Sequence, residues 1–477
     1  MSDVTDKMRN SARWSAENSR HIAYRIIAQG TLVLKTPAHF GAGDTSIKKL
    51  QNGEQANTLE LYKAPDGRAV LTGASIAGAL RHYLIQRLYG YQTADTNKDS
   101  LIQKMFGEAL DETRGAQSRL ITYDATSQNS AQSERDGVRI NDITRTADER
   151  ALFKIKTWDA GTQFPLRLEL VMYEEDTTLQ AHLKQAFAVL LSAFATDEIP
   201  MGGRKNRGYG QCAVSDWRVY EYDMTSTDDF LGWVNGQYPS PTPDFLSKAN
   251  RFMDNRQRVI LSASFALCDS VMIRTIEKRA DKEITRHLTN RDNQPILTGT
   301  SIAGALRARA FKILQTIGKS DGIAYDLFGD DGKDGDEKVR DIKSSRMIVK
   351  ESVIQKADTT HIQNRVKIDR FTGGSYETAL INEQPVFATP NTWVKIELEL
   401  RKPEPAQIGL FLLLLKDLWT EDLPLGGESN IGRGRLRGKN ATLTIDGKQI
   451  HFNEHGLADK QYIDQLKGYV DALWGQL

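Results

Sequence analysis

The sequence predicts an α+β chain built from two tandem copies of one βαββαβ domain, and three observations carry that expectation. Leu71–Arg81 reads LTGASIAGALR and Leu297–Arg307 reads LTGTSIAGALR, with ten identical positions of eleven. Recurrence of this kind marks an internal duplication. Further pairs recur in the same order at nearly the same separation: Met105–Gly107 (MFG) with Leu327–Gly329 (LFG), Arg119–Thr122 with Arg346–Val349, Arg145 with Arg370, and Gly202 with Gly426. Within each copy, alternating apolar segments bracket two segments whose apolar residues fall three and four apart, the periods of strand and helix.

Taken in order, residues 1–20 are polar and read as a flexible arm. Ile22–Leu34 alternates as a strand. Thr36–Thr45 contains glycine and reads as a loop, and Lys48–Ala56 as a surface loop. Thr58–Tyr62 and Ala69–Leu71 are short strands around the turn Pro65-Asp66-Gly67. Thr72-Gly73 then makes a turn in which glycine takes positive φ. Ser75 caps the following helix, whose stripe is Ile76, Ala77, Leu80, Tyr83 and Leu84 and which ends near Tyr91. Arg119–Tyr123 is a strand, Thr126–Asp136 a polar exposed excursion, Phe164–Tyr173 a strand and Leu179–Phe194 a helix. The second copy echoes this with Val259–Leu267, a helix from Ser301 to about Leu314, Trp393–Leu400 and Ile408–Leu418.

The predicted division is an arm at 1–20, a first domain at 21–222, a Pro-containing linker at 223–256 and a second domain at 257–477. The linker holds Pro239, Pro241 and Pro243. The second domain ends in an amphipathic helix between Leu457 and Trp474. The whole is a ferredoxin-like plan with loop insertions, which is also the plan of RRM-like, sheet-based RNA binders. A plan alone does not give function.

Lys plus Arg number 63 against 62 Asp plus Glu, a net charge of +1. Such a chain is no generic polycation, so nucleic-acid binding has to come from local basic patches. Two cysteines, Cys212 and Cys268, make neither a disulfide framework nor a cysteine zinc site, and they fit a reducing cytoplasm. The N-terminal stretch lacks the apolar core of a signal peptide. The strongest apolar run, Ile408–Leu415, is too short for a membrane span. The eight histidines form no metal-spaced cluster, and no Ser/His/Asp or Cys/His constellation is legible.

Two features suit phosphate. The N-terminus of each repeat helix offers free N–H groups to an anion, with Ser75 and Arg81 in the first copy and Ser301 and Arg307 in the second. Each copy also ends in a glycine-rich basic loop, Pro200–Gly210 (PMGGRKNRGYG) and Pro424–Gly434 (PLGGESNIGRG). Gly202, Gly203, Gly426 and Gly427 allow a backbone to approach a ligand closely. Arg204, Lys205 and Arg207 surround the first loop. Asn430, Arg433, Arg435, Arg437 and Lys439 surround the second, and Tyr209 is placed to stack on a base. No Gly-Lys-Ser/Thr follows, so neither loop is a Walker A motif. A plain turn is the competing reading of each.

LTG-x-SIAGALR, the LFG element and the closing GG-x4-G-x-G loop resemble the RAMP superfamily of CRISPR-associated proteins. More narrowly they resemble the backbone subunits of type III effector complexes, and the fused pair is similar to the tandem subunits of type III-D-like systems. The resemblance covers nearly the whole chain outside the arm and the linker. It implies binding to a CRISPR guide RNA and its complementary target RNA, with other effector subunits as partners and no membrane. It implies a thumb-like hairpin that interrupts the guide–target duplex. Arg139–Thr146 and Arg365–Gly373 are the thumb candidates, with Arg139, Arg145, Arg365 and Arg370.

The resemblance also implies cleavage of the target by attack of a 2′-OH on the adjacent phosphate, with a loop aspartate and Mg2+ or another divalent cation. In the second copy Asp281 (in RTIEKRADKEITR) falls where the family's aspartate lies, and Asp269 sits at the strand end. In the first copy Asn57 takes that place, and an amide is no anionic ligand. Asp44 (in HFGAGD) is the substitute, against an equal reading as a turn aspartate after Gly43. Asp281 and Asp44 are therefore both catalytic and metal-ligand candidates. Two readings stay beside this one: a non-catalytic scaffold that only holds the guide, and a guide-precursor processing endonuclease, which the lack of a His-based acid/base pair disfavours.

Overall fold

The computed structural model describes residues 21–49, 55–91, 100–109, 115–141, 146–279, 282–330 and 342–475. The arm expected at 1–20 lies outside these residues, as do Arg145, Asp281 and the middle of the surface loop at 48–56.

The principal elements of the first half are β1 (Ile22–Leu34), β2 (Gly41–Lys49), β3 (Gln55–Leu61), α1 (Gly73–Tyr89), β4 (Leu120–Thr122), β5 (Gln132–Ile140), β6 (Ala147–Trp158), β7 (Gln163–Tyr173), α2 (Gln180–Ala195), β8 (Cys212–Val214) and β9 (Arg218–Asp223). The second half repeats them as β10 (Arg258–Leu267), β11 (Arg274–Arg279), β12 (Lys282–His287), α3 (Gly299–Thr316), β13 (Met347–Val349), β14 (Gln363–Ile368), β15 (Ser375–Gln384), β16 (Trp393–Arg401), α4 (Pro405–Trp419), β17 (Leu436–Ile445) and β18 (Lys448–Asn453). It closes with α5 (Ile463–Gly475).

β1 is the centre of the first sheet. It pairs antiparallel with β7 on one side and with β8 and β9 on the other, and β4 extends β7. β10 holds the same place in the second sheet, with β16 and β13 on one side and β17 and β18 on the other. Both orders are those of the ferredoxin-like plan, so the α+β fold class is as predicted. Alternation drives it. Along β10 every second residue is buried, Val259, Leu261, Ala263, Phe265 and Leu267. They share one core with Ile302 and Leu306 of α3 and Leu410, Phe411 and Leu414 of α4. Each large side chain removed from water there contributes about 1.5–3 kcal/mol.

The duplication extends to the insertions. The β2–β3 hairpin joins β6 in parallel through β3, and β6 joins β5 antiparallel. The β11–β12 hairpin, β15 and β14 repeat that order and sense. Two loop expectations change here. The loop at Thr36–Thr45 becomes β2 at Gly41, and the excursion at Thr126–Asp136 runs into β5, where Arg135 is buried. Both strands belong to polar ribbons with little apolar alternation, so the period-2 signal that reveals a strand is missing.

Part of the expected linker is packed. The 3-10 segment Phe245–Arg251 lies along α2, with Phe245 edge-on to Phe187 at 6.1 Å between ring centroids, and Phe245 and Ala249 belong to the first core. In the second half α5 covers α4 in the same way. A Cβ on Gly409 would stand 2.2 Å from the Tyr469 carbonyl oxygen, so only glycine lets the two helices come this close. Among the described residues, no helix is long and apolar enough to cross a membrane.

Candidate nucleic-acid interface

Both repeat helices begin earlier than expected, before Ser75, the expected cap, and before Ser301, the expected start. Thr72 and Thr298 are the N-caps, and their hydroxyls accept the N–H of Ser75 at 3.3 Å and of Ser301 at 3.2 Å. Ser75 and Ser301 thus sit inside the first turn. The glycines are not there for positive φ, since neither Gly73 nor Gly299 adopts it. They are there for close approach. A Cβ on Gly73 would lie 2.5 Å from the Thr122 carbonyl oxygen; one on Gly299 would lie 2.4 Å from that of Arg207 and 2.5 Å from that of Val349. The Gly73 N–H donates to the Asp124 carboxylate at 2.6 Å. The N–H groups of Gly73, Ser75 and Ser301 are therefore bonded to protein rather than presented to an anion.

The two glycine-rich loops share one backbone. Arg204 and Glu428 are left-handed at φ 57° and 61°. A 3-10 turn follows (Lys205–Arg207, Ser429–Ile431), and Gly208 and Gly432 close it at φ 84° and 91°. Gly202 and Gly426 turn at φ 90° and 85°. Gly203 and Gly427 donate their N–H to the carbonyls of His39 and Met272 at 2.9 and 2.8 Å.

Their surroundings differ. The first loop is wedged between the halves. The Asn206 amide donates to the Ser345 carbonyl at 2.7 Å, and the Arg207 guanidinium donates to the Phe328 carbonyl at 3.2 Å. Across the same seam the buried Arg135 pairs with Glu351 and lies 5.5 Å over the Tyr209 ring. Tyr209 is itself buried, so it is not free to stack on a base.

Four other cations at this seam, Arg204, Lys205, Arg207 and Arg307, have no carboxylate partner among the described residues. Arg204 lies over the Phe153 ring at 4.7 Å. Arg307 of α3 lies over Phe311 and Tyr325 at 5.3 and 5.8 Å, with its Nε buried and unbonded. Burial, then repulsion from Arg307 and Arg204, pushes the Arg207 guanidinium down to about 10. Burial and then Arg401 lower the Lys205 ammonium, and burial lowers Arg204. Positive groups gathered without counter-charge suit a polyanion.

The second loop is the opposite case. Arg433 is buried and bonded to Glu383 at 3.2 Å, to Glu428 and to Gln363 at 2.6 Å. Arg365 reaches the same two carboxylates, and Arg274 reaches Glu428 at 2.8 Å. Arg435 donates to the Glu421 carbonyl at 2.9 Å, Arg437 pairs with the Glu421 carboxylate, and Lys439 pairs with Glu454 at 3.2 Å. Every cation expected to serve this loop is bonded to protein. Ser429, Asn430 and Ile431 at its tip are exposed.

Among the described residues the candidate acids do not converge. Asp44 is exposed in β2, where the register with β3 shifts between Gly41 and Thr45, rather than in a loop. Asn57 is exposed in β3, opposite Ile47 and Phe153. Asp269 is exposed just after β10, and its carbonyl accepts the Ala388 N–H at 2.6 Å. Asp281, between β11 and β12, lies outside the described residues. Among the described residues no three His, Cys, Asp or Glu stand together to hold a metal ion. The described residues do not by themselves fit a divalent cation.

The thumb candidates lie on the hairpins β5–β6 and β14–β15. Arg139 is exposed near the end of β5, and Arg145 lies outside the described residues. Arg365 is held in the carboxylate network, and Arg370 is exposed in the turn. In that turn the Asp369 carboxylate accepts the N–H of Phe371 at 2.7 Å and of Thr372 at 3.2 Å, and Phe371 is 100% exposed. Asn206, Arg135 and Glu351, which join the halves, were not singled out by sequence. The faint signal for Arg135 was a lone arginine in a polar excursion.

A comparison with curated proteins finds no match. The model of the RAMP superfamily matches residues 31–213 and again residues 255–437. The two segments cover most of the chain and fall on the two halves described above. Membership of that superfamily implies a CRISPR-associated RNA-binding role. With the same sheet, the same pair of helices and the same glycine loop in both matched segments, the chain belongs to the RAMP superfamily and carries two copies of its domain.

Proposed function

We propose that the chain is a backbone subunit of a type III CRISPR effector complex, of the tandem-fused type III-D-like kind, and that it grips the guide RNA by its phosphates at the seam between its halves. The cluster Arg204, Lys205, Arg207 and Arg307 carries this reading. It is partly buried, has no carboxylate partner among the described residues and draws on both halves. A polyanion relieves the repulsion within it, and each phosphate contact releases counter-ions. Base sequence is then read by pairing between guide and target, not by the protein. The test is charge reversal (Arg204→Glu, Lys205→Glu, Arg207→Glu) with guide-RNA binding followed by fluorescence anisotropy across a salt series. The slope of log affinity against log salt should fall in steepness by about 2, at about 0.7 per phosphate contact on a single strand. The loss should be the same for unrelated RNA sequences. An unchanged slope refutes the assignment.

Target cleavage is assigned to the equivalent hairpins β2–β3 and β11–β12, where Asp44 and Asp281 fall, with Asp269 as a third candidate. Its support is the family resemblance together with the matching position of the two hairpins in the two halves. Mg2+ or another divalent cation belongs to this assignment as the group the resemblance implies. In the reconstituted complex Asp281→Asn and Asp44→Asn should each remove one set of cuts. If every cut survives both, the chain is a guide-holding scaffold, a reading favoured by Asn57 and by the absence of an acid cluster among the described residues.

A further inference from the structure

We propose that the short helix Thr227–Val234, which follows β9, is a docking surface for residues 7–14 of the same chain, with Trp14 as the apolar anchor and Lys7, Arg9 and Arg13 as the cations. Large apolar side chains crowd this helix and the turn after it. Phe230 is 44% exposed, Leu231 50%, Val234 57% and Tyr238 44%. Helical spacing puts Phe230, Leu231 and Val234 on one side. Trp233 faces the other way and packs with Met224 against Ile27, Tyr220 and Tyr222 of the first sheet. Single exposed apolar side chains are ordinary on a protein surface, but four so close in sequence make a patch of the kind that another segment covers.

The start of β1 lies beside this helix. The Met224 N–H donates to the Ala23 carbonyl at 2.9 Å, Tyr24 pairs with Asp223, and the Arg25 guanidinium lies 4.3 Å over the Trp233 ring. Trp14 precedes His21 by a stretch of chain that spans up to about 23 Å when extended. The helix has 8 residues and is about 12 Å long, so a tether of that length reaches all of it. So short a tether also holds the segment at millimolar effective concentration, an advantage that no separate partner has.

Charge selects the occupant. Residues 7–14 read KMRNSARW, with Lys7, Arg9 and Arg13 and no acid among them, and with Met8 and Trp14 as the apolar members. The helix carries the opposite sign. Asp228 and Asp229 lie in its first turn, and Asp223 stands just before it. Asp228 is exposed. Arg25, which lies over Trp233, is already paired with Glu169. The same acids disfavour two other occupants. They repel RNA phosphate, and a second copy of the helix would set one acidic rim against another. A basic segment with an aromatic residue meets both the charge and the apolar side chains.

The test places the photo-reactive residue p-benzoylphenylalanine at position 231 of the full chain and maps the cross-link by mass spectrometry, without and with guide RNA. The cross-link should fall within residues 7–14 of the same chain in both cases. Hydrogen exchange at the amides of residues 230–234 should quicken about tenfold in Trp14→Ala, as loss of a central aromatic anchor does, while β1 and β7 keep their protection. The triple variant Lys7→Glu, Arg9→Glu, Arg13→Glu should act in the same direction, and adding Asp228→Lys to it should restore part of the protection. A cross-link to RNA, a covalent dimer, a cross-link confined to other residues, or exchange unchanged in both Trp14→Ala and the triple variant overturns the proposal. Guide affinity on charge reversal at the seam is a separate readout, so failure there leaves this outcome untouched.

Discussion

The ion pair Arg135–Glu351 joins a strand of the first half to a residue of the second, and both side chains are only 7% exposed. Burial opposes the charge on Arg135, but Glu351 outweighs it and raises the guanidinium above its ordinary value. Removing one partner leaves the other charge buried and uncompensated, which costs about 3–5 kcal/mol, whereas replacing both by apolar residues of similar volume is close to neutral. Arg135→Met and Glu351→Met should each lower the first calorimetric unfolding transition by about 6–20 °C, at roughly 2–4 °C per kcal/mol for domains of this size. The double variant should recover most of the loss. Differential scanning calorimetry on the four proteins gives the coupling directly. Single shifts under about 2 °C, or a double variant that merely adds the two losses, would refute the claim that this pair locks the seam.

Three further outcomes follow from the packing. Gly299→Ala should separate the halves more than Gly73→Ala does, because its Cβ meets carbonyl oxygens on two sides, one of them from the other half. The overpacking cost is about 1–3 kcal/mol, and limited proteolysis between residues 223 and 256 reads the separation. His287 is buried with both ring nitrogens against backbone groups, and burial pushes it down to about 4. The unfolded chain, near 6.5, therefore binds the extra proton between those values, and stability is lost as pH falls from about 6.5 to 4, at up to about 1.4 kcal/mol per pH unit. Urea midpoints from pH 7 to 4.5 should fall less steeply in His287→Leu. Glu383→Gln removes one of the two carboxylates that hold Arg433 and Arg365, and hydrogen exchange in β14 and β15 should speed up while α4 keeps its protection.

The duplicated core was legible because its residues obey simple periods. Alternation along Ile22–Leu34 and Val259–Leu267 and the helical stripes placed β1, β10 and the four core helices within a few residues, whereas the closing strands β8, β9, β17 and β18 were given no bounds. The ribbons were not legible, since β2 and β5 are polar on both faces and a strand without a buried side has no period to show. The threonine caps were misread because Thr72 and Ser75 are both good capping residues three apart, and only the direction of one hydrogen bond separates them. The basic character of the first loop was readable, but its fate was not. Arg207 is partly free because the second half offers it a carbonyl, and Arg433 is not free because Glu383 and Glu428 come to it from distant segments. Those partners are set by strand pairing, which a linear reading does not supply.

The shape of the two glycine-rich loops has a consequence for how such a repeat can diverge. Glycines and main-chain carbonyls fix the frame, so RKNR and ESNI trace the same path with opposite charge. The four side chains are interchangeable fittings on one bracket. Substitution at these positions alone changes the charge the loop presents, with the sheet, the helices and the turn left as they were.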